Sequence, residues 1–167
     1  MKKILSIGEA MLDSFVFVKD AEVRCELNHK NCMFCVRYAE KILADKLVFA
    51  VGGNAANTAV SFSRLGLHSQ LYSVVGDDGN GEMIQKSLKK DGVDLQYLQQ
   101  FDGMTSYSTV IVFQGERSIL IYHEPREYHL PKIDPVDWIY LTSLGKDYPR
   151  AYEKVLDFVK KTGAKLS

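Results

Sequence analysis

The stretch Gly52-Gly53-Asn54-Ala55-Ala56-Asn57 combines residue types that together could hold a ligand. Two glycines after a β-rich run let the backbone approach a bound molecule with no Cβ in the way. A helix opening at that point aims free N–H groups at the same spot. Asn54 suits the N-cap of such a helix. Asn57, on its first turn, carries an amide that both donates to and accepts from a hydroxyl. Asp13, just past the first strand, offers a carboxylate, and a carboxylate pairs well with vicinal hydroxyls. A polyol is the ligand this set would grip. The plainer alternatives are a tight strand-to-helix turn with a capping Asn, and a helix cap or solvated turn for Asp13.

A second constellation is Cys25, His29, Cys32 and Cys35. Its spacing offers four soft or borderline ligands of the kind tetrahedral Zn²⁺ accepts. Cys32, Cys35, Val36, Ala39, Ile42 and Leu43 also fall at helical spacing, so buried free cysteines on an amphipathic helix are the competing account. With three cysteines in all, an odd number in a Cys-poor chain, a disulfide framework is not expected and a reducing cytoplasm is. Gly76-Asp77-Asp78-Gly79-Asn80-Gly81 superficially suggests a phosphate loop. Two adjacent acids would repel phosphate and no Lys-Ser/Thr follows, so it reads as a turn with a helix N-cap. His123 and Arg126 could reach a substrate carboxylate or phosphate, against a solvated loop as the simpler account. Trp138 reads as core, and Lys160-Lys161 suits the end of a helix dipole.

These residues need elements to position them. Strand-like and helix-like segments alternate, which predicts α/β architecture. Lys3 to Ile7 reads as a buried strand, and Ser14 to Val18 and Lys46 to Val51 as short β-rich runs. A small-residue helix follows from about Ala55 to Leu65, stopped by Gly66. His68 to Val75 is a strand. The helix after it runs to about Asp91, with Ile84 and Leu88 on one face and Gly92 as its stop. Ser106 to Phe113 and Ser118 to His123 form a hairpin around Gln114-Gly115-Glu116-Arg117. Asp137 to Thr142 is a further buried strand. A last helix starts near Asp147, tolerates Pro149 in its first turn, and is stopped by Gly163. Ala164 to Ser167 opens another parallel strand, so the chain reads as cut short in mid-unit.

Composition narrows the classes. The 167 residues carry 21 Lys+Arg and 21 Asp+Glu, a formal net charge of zero, which argues against a dedicated nucleic-acid binder. At 46% hydrophobic and 25% charged, the sequence is that of about one globular domain. No stretch is apolar for long enough to span a bilayer, and the N-terminus reads as a strand, not a signal peptide.

Taken in order, several motifs resemble the ribokinase-like (PfkB) carbohydrate kinases. Ile7-Gly8-Glu9-Ala10-Met11-Leu12-Asp13 is similar to the family's opening strand with its sugar-binding aspartate. Gly52-Gly53-Asn54-Ala55-Ala56-Asn57 with Arg64-Leu65-Gly66 resembles the N-terminal signature. Val75 to Gly81 is similar to the Gly-Asp-Asp turn, Gly92-Val93 to its sequel, and Gly115-Glu116-Arg117 to the hairpin beyond. The resemblance covers essentially the whole chain. It implies a doubly wound α/β sandwich core, incomplete here, with a small β-sheet lid. Residues 1–167 would be the N-terminal part of the kinase domain. Lid elements would lie near 14–18, 46–51 and 106–123, with an insertion at 21–45.

The resemblance further implies that Asp13, Gly52, Gly53, Asn54 and Asn57 line a sugar site, capped by lid residues such as Tyr107 and Tyr122. It implies ATP and Mg²⁺ in the complete enzyme, a sugar or nucleoside as acceptor, a homodimer formed through the lid, and a cytoplasmic location. The second family signature, a Gly-Ala-Gly-Asp loop carrying the general base, has no counterpart in this sequence, so no catalytic residue is expected in it. The competing expectations are a non-catalytic sugar-binding or dimerisation module and a zinc-stabilised interaction domain.

Overall fold

The computed structural model describes residues 2–27, 31–146 and 148–167. The chain divides into two compact units, residues 1–12, 51–106 and 122–167 forming the first and 13–50 with 107–121 the second.

In the first unit, β1 (Lys3–Ile7), β6 (His68–Gly76), β7 (Leu98–Phe101), β10 (Trp138–Leu141) and β11 (Lys165–Leu166) form one sheet in the order β11-β10-β1-β6-β7. Every neighbouring pair runs parallel. Side-chain alternation sorts the strands' apolar groups to two faces. Leu71 and Val75 pack with Ala55, Ala56, Ala59, Ile84 and Leu88, residues of α1 (Asn54–Arg64) and α2 (Gly79–Lys90). Leu5, Ile7, Tyr72, Val74 and Ile139 pack on the other face with Ala151 and Val155 of α3 (Pro149–Thr162). Helices on both faces of a parallel sheet make this a doubly wound α/β unit, as expected. The small side chains of α1 let its axis lie close to the strands.

Boundaries follow the local signals. Gly66 adopts φ 79° after α1, and Gly163 caps α3 with φ 72°. Asp78 is the N-cap of α2, its carboxylate accepting from the Gly81 N–H at 2.8 Å. Trp138 is half-buried, not in the core, with the Lys165 ammonium 5.0 Å from its ring centre. β7 carries no strand signature, since Gln99 and Gln100 sit at its centre.

The second unit takes its main sheet from β2 (Met11–Val18), β5 (Ala44–Gly52), β8 (Tyr107–Phe113) and β9 (Glu116–Tyr122), ordered β5-β2-β8-β9. The hairpin loop is tighter than expected: Gln114 and Gly115 alone make the turn, both at positive φ, as a two-residue hairpin requires.

The segment at 21–45 differs from its helical expectation. It folds as an antiparallel ribbon of β3 (Glu22–Cys25) and β4 (Cys32–Cys35), and Ala39 takes φ 59°, which no helix accommodates. Cys25 and Cys32 face each other across the ribbon and form a disulfide, contrary to the expectation of free cysteines. Each sulfur is bonded to the other, so neither is a thiolate available to zinc in this structure. Cys35 is free, and His29 lies outside the described residues. Phe34 anchors the ribbon edge-on against Phe113 of β8, ring centres 5.8 Å apart. No helix among the described residues is long and apolar enough to cross a membrane.

Candidate functional site

The strand order places β1 between β6 and β10, reached by connections over opposite faces. The crevice beyond the C-terminal ends of β1 and β10 is therefore the topological switch point, where open parallel sheets take their ligands. Gly8 to Ala10 and Thr142 to Gly145 line it, tied together by the Glu9 N–H donating to the Ser143 carbonyl at 3.0 Å.

The glycine pair delivers α1 to this edge. Gly53 adopts φ 92°, ψ 137°, and a Cβ there would lie 2.3 Å from the Glu9 carbonyl oxygen. Only glycine satisfies both conditions. Gly53, not Asn54, is the N-cap of α1, and no side chain caps the helix. This corrects the capping role expected of Asn54, whose amide is exposed, with Nδ2 3.5 Å from Ser143 Oγ. Asn57 is likewise exposed on the first turn, its backbone N–H closing onto the Gly53 carbonyl at 3.0 Å. The first-turn N–H groups and two carboxamides are thus left for a ligand.

Behind the turn lies a buried polar network that sequence reasoning missed. The Glu9 side chain is 7% exposed, and its Oε2 pairs with His123 Nδ1 at 2.6 Å. Its Oε1 accepts from the Tyr128 hydroxyl at 3.2 Å, and that hydroxyl in turn accepts from the Gly145 N–H at 2.7 Å. Burial, and next the Glu9 charge, push the Tyr128 phenol up to about 12, so it remains a donor at neutral pH. The available signal was a lone acid immediately after a buried strand and a glycine.

Arg126 is not on a solvated loop. It is buried, donates to the Val74 carbonyl, to Ser106 Oγ at 2.7 Å and to the Glu124 carbonyl at 3.1 Å, and covers the Phe101 ring at 4.7 Å. It fastens the segment carrying His123 and Tyr128 to the sheet. Gly76 to Gly81 is a turn and cap, as expected, with Asp78 also accepting from the Thr105 N–H at 2.9 Å and hydroxyl at 2.6 Å.

In the second unit, Asp13 is half-buried on β2 and its carboxylate accepts a hydrogen bond from the buried Ser108 hydroxyl of β8. Tyr107 precedes Ser108 and is half-buried. Tyr122 ends β9 exposed, with the neighbouring Glu124 carboxylate raising its phenol pKa.

A doubly wound parallel sheet with an uncapped helix mouth at its switch point is the frame of an α/β small-molecule-binding enzyme. The family described as "pfkB family carbohydrate kinase" matches residues 1–165, and the chain belongs to that family. A fructokinase from Escherichia coli is 37% identical over 109 residues, covering 60% of this chain and 35% of the relative. An ATP-dependent 6-phosphofructokinase from Thermoanaerobacterium thermosaccharolyticum is 27% identical over 136 residues, covering 81% of this chain and 36% of the relative. The chain thus spans about a third of the curated relatives it matches. Among solved structures, an Arabidopsis thaliana ribokinase complexed with ribose and ATP superposes with TM-score 0.74 at 21% identity, over 99% of this chain and 52% of that one. A Halothermothrix orenii fructokinase gives TM-score 0.70 at 22% identity, over 98% and 55%. These two likenesses establish the shared fold.

Proposed function

We propose that these residues form the sugar-binding part of an ATP-dependent carbohydrate kinase, the whole protein transferring the γ-phosphate of Mg·ATP to a hydroxyl of a sugar or nucleoside. The observation that carries this reading is the Gly52-Gly53 turn, which opens an uncapped helix beside two exposed carboxamides at the switch point of the sheet. Gly52 and Gly53 bring bare backbone to the sugar. Asn54 and Asn57 exchange hydrogen bonds with its hydroxyls, and Asp13 accepts from a vicinal pair. Tyr107 and Tyr122 cover the ring. Binding and orientation are the contribution of these residues. The Gly-Ala-Gly-Asp loop is not among them, so no step of phosphoryl transfer is assigned to any residue here.

The exposed apolar residues of β5 and β9 favour a homodimer formed through the second unit's sheet. A cytoplasmic location accords with ATP as the phosphoryl donor, while the free cysteines first expected of it are replaced by the Cys25–Cys32 disulfide.

Thermal denaturation with a panel of ketoses, aldoses and nucleosides tests the proposal. A ligand present at 100 times its Kd stabilises by about 2.7 kcal/mol, which moves the midpoint by several degrees. At least one sugar is expected to do so, Asn57→Ala to abolish the shift without lowering the unliganded midpoint, and Asp13→Ala to abolish it while also lowering that midpoint through the lost Ser108 hydrogen bond. No shift with any member of the panel refutes the reading.

A further inference from the structure

We propose that the Glu9–His123 pair is a specificity device. His123 Nε2 is a hydrogen-bonding partner of a sugar hydroxyl, and the Glu9 charge behind it selects an uncharged sugar over a phosphorylated or carboxylated one. This rests on the sugar-binding reading of the same site.

The geometry supplies each part. Glu9 is doubly tied to the crevice, its backbone N–H on Ser143 and its carbonyl directly against Gly53. Its carboxylate is held from two sides, by Tyr128 and by His123 Nδ1. Burial has no structural need of a carboxylate here, because a buried charge is costly unless partners satisfy it. What the arrangement achieves is to fix the imidazole. With Nδ1–H committed to Glu9, the ring's plane is set and Nε2 is the nitrogen left to meet a ligand. The imidazole is 41% exposed while the carboxylate behind it is 7% exposed, the pattern of a contacting group resting on a buried positioner.

Charge then decides the class of sugar. With neutral His123 the pair carries one negative charge, and with imidazolium it carries none, so it is never a cationic site. Arg126, the buried cation of this unit, turns to the backbone oxygens of Val74 and Glu124 and to Ser106 Oγ. A phosphate or carboxylate seated at this ring would meet the Glu9 charge directly, with the α1 N–H groups pulling the other way, whereas a hydroxyl meets a preoriented ring nitrogen. A hydroxyl contact of this kind is worth about tenfold in affinity, and a like charge costs a similar factor.

Isothermal titration of the chain with D-fructose, D-ribose, D-fructose 6-phosphate and D-gluconate tests this, with folding of each variant checked by circular dichroism. At least one neutral sugar is expected to bind at least tenfold more tightly than either anion. His123→Ala is expected to weaken that sugar about tenfold. Glu9→Gln, which removes the charge and turns one of the two acceptors into a donor, is expected to narrow the neutral-to-anion ratio at least threefold, a change that a merely structural role would not produce. Should Glu9→Gln fail to fold, the wild-type ratio and His123→Ala decide alone. Binding of fructose 6-phosphate as tight as that of fructose, or undiminished sugar affinity in His123→Ala, overturns the inference and leaves the sugar site standing. No binding by any of the four probes overturns the inference, and no binding across the full panel of ketoses, aldoses and nucleosides overturns the sugar site as well.

Discussion

At Asp78 one carboxylate joins two distant pieces of chain. Oδ1 accepts from the Gly81 N–H and the Thr105 hydroxyl, while Oδ2 accepts from the Thr105 N–H. Burial alone would raise its pKa, but the donors from Thr105, Gly81 and Asn80 together outweigh burial and hold it below the ordinary value. A depressed carboxyl contributes stability that is complete above its unfolded pKa, near 3.9, and that disappears as pH falls through the lower folded value. Asp78→Asn presents an amide N–H₂ where an acceptor is needed. It is expected to cost about 1–2 kcal/mol at pH 7. Urea midpoints of parent and variant should begin to converge as pH falls toward the unfolded value and go on converging as it falls through the lower folded one. A gap that stays as wide at the lowest pH where the parent is folded as at pH 7 would show that the charge is not what matters.

Among the elements, α2 shows why a glycine pattern need not bind phosphate. A Cβ at Gly81 would sit 2.2 Å from the Gly76 carbonyl oxygen, and one at Gly76 would sit 2.2 Å from that of Gly103. The helix therefore starts in direct backbone contact with the end of β6. Gly81→Ala gains about 1 kcal/mol of helix propensity but must push the helix off the strand, so a net loss of about 2–4 kcal/mol is expected. Gly79 lies in open space on the same first turn, and Gly79→Ala should be neutral or stabilising by up to about 1 kcal/mol. Chemical denaturation of the two variants separates packing from propensity, and similar midpoints would refute the packing account. This contact also marks the limit of what the sequence discloses. The spacing of Ile84 and Leu88 and the stops at Gly66, Gly92 and Gly163 were legible because they are local. So was the strand-to-helix turn at Gly52 to Asn57, though its N-cap is Gly53 and not Asn54. Gln99 and Gln100 hid β7, since that strand is recruited by its neighbour β6 and not by its own propensity. The helical spacing of Cys32 to Leu43 was misleading because a cross-strand disulfide and the Phe34–Phe113 contact favour a ribbon. Glu9, His123 and Tyr128 were unreadable as a set, because only tertiary packing brings residues more than a hundred positions apart onto one carboxylate.

For the molecule as a whole, the second unit's apolar strands call for a cover. β5 and β9 are the two edges of their sheet. Ile119, Leu120 and Ile121 remain 52%, 65% and 52% exposed, and Leu47 and Phe49 remain 54% and 50% exposed. Consecutive strand residues point to opposite faces, so β9 shows water apolar groups on both sides. Uncovered edges of this kind invite pairing with other chains, and a natural sequence that keeps them apolar ordinarily gives them a partner. The homodimer proposed above supplies one without any other protein. It predicts a concentration-dependent monomer–dimer equilibrium by sedimentation velocity. Ile121→Lys would have to bury an ammonium at the contact, which should weaken dimerisation at least tenfold while leaving the far-UV spectrum unchanged. Because Asn54, Asn57 and His123 all belong to the first unit, Ile121→Lys should lower sugar affinity only if the second unit's sheet needs its partner to hold Asp13 and Tyr107 in place. Measuring dimerisation and sugar binding on the same variant tells these roles apart. A chain that sediments as a monomer at every concentration, with Ile121→Lys indistinguishable from the parent, would refute the dimer.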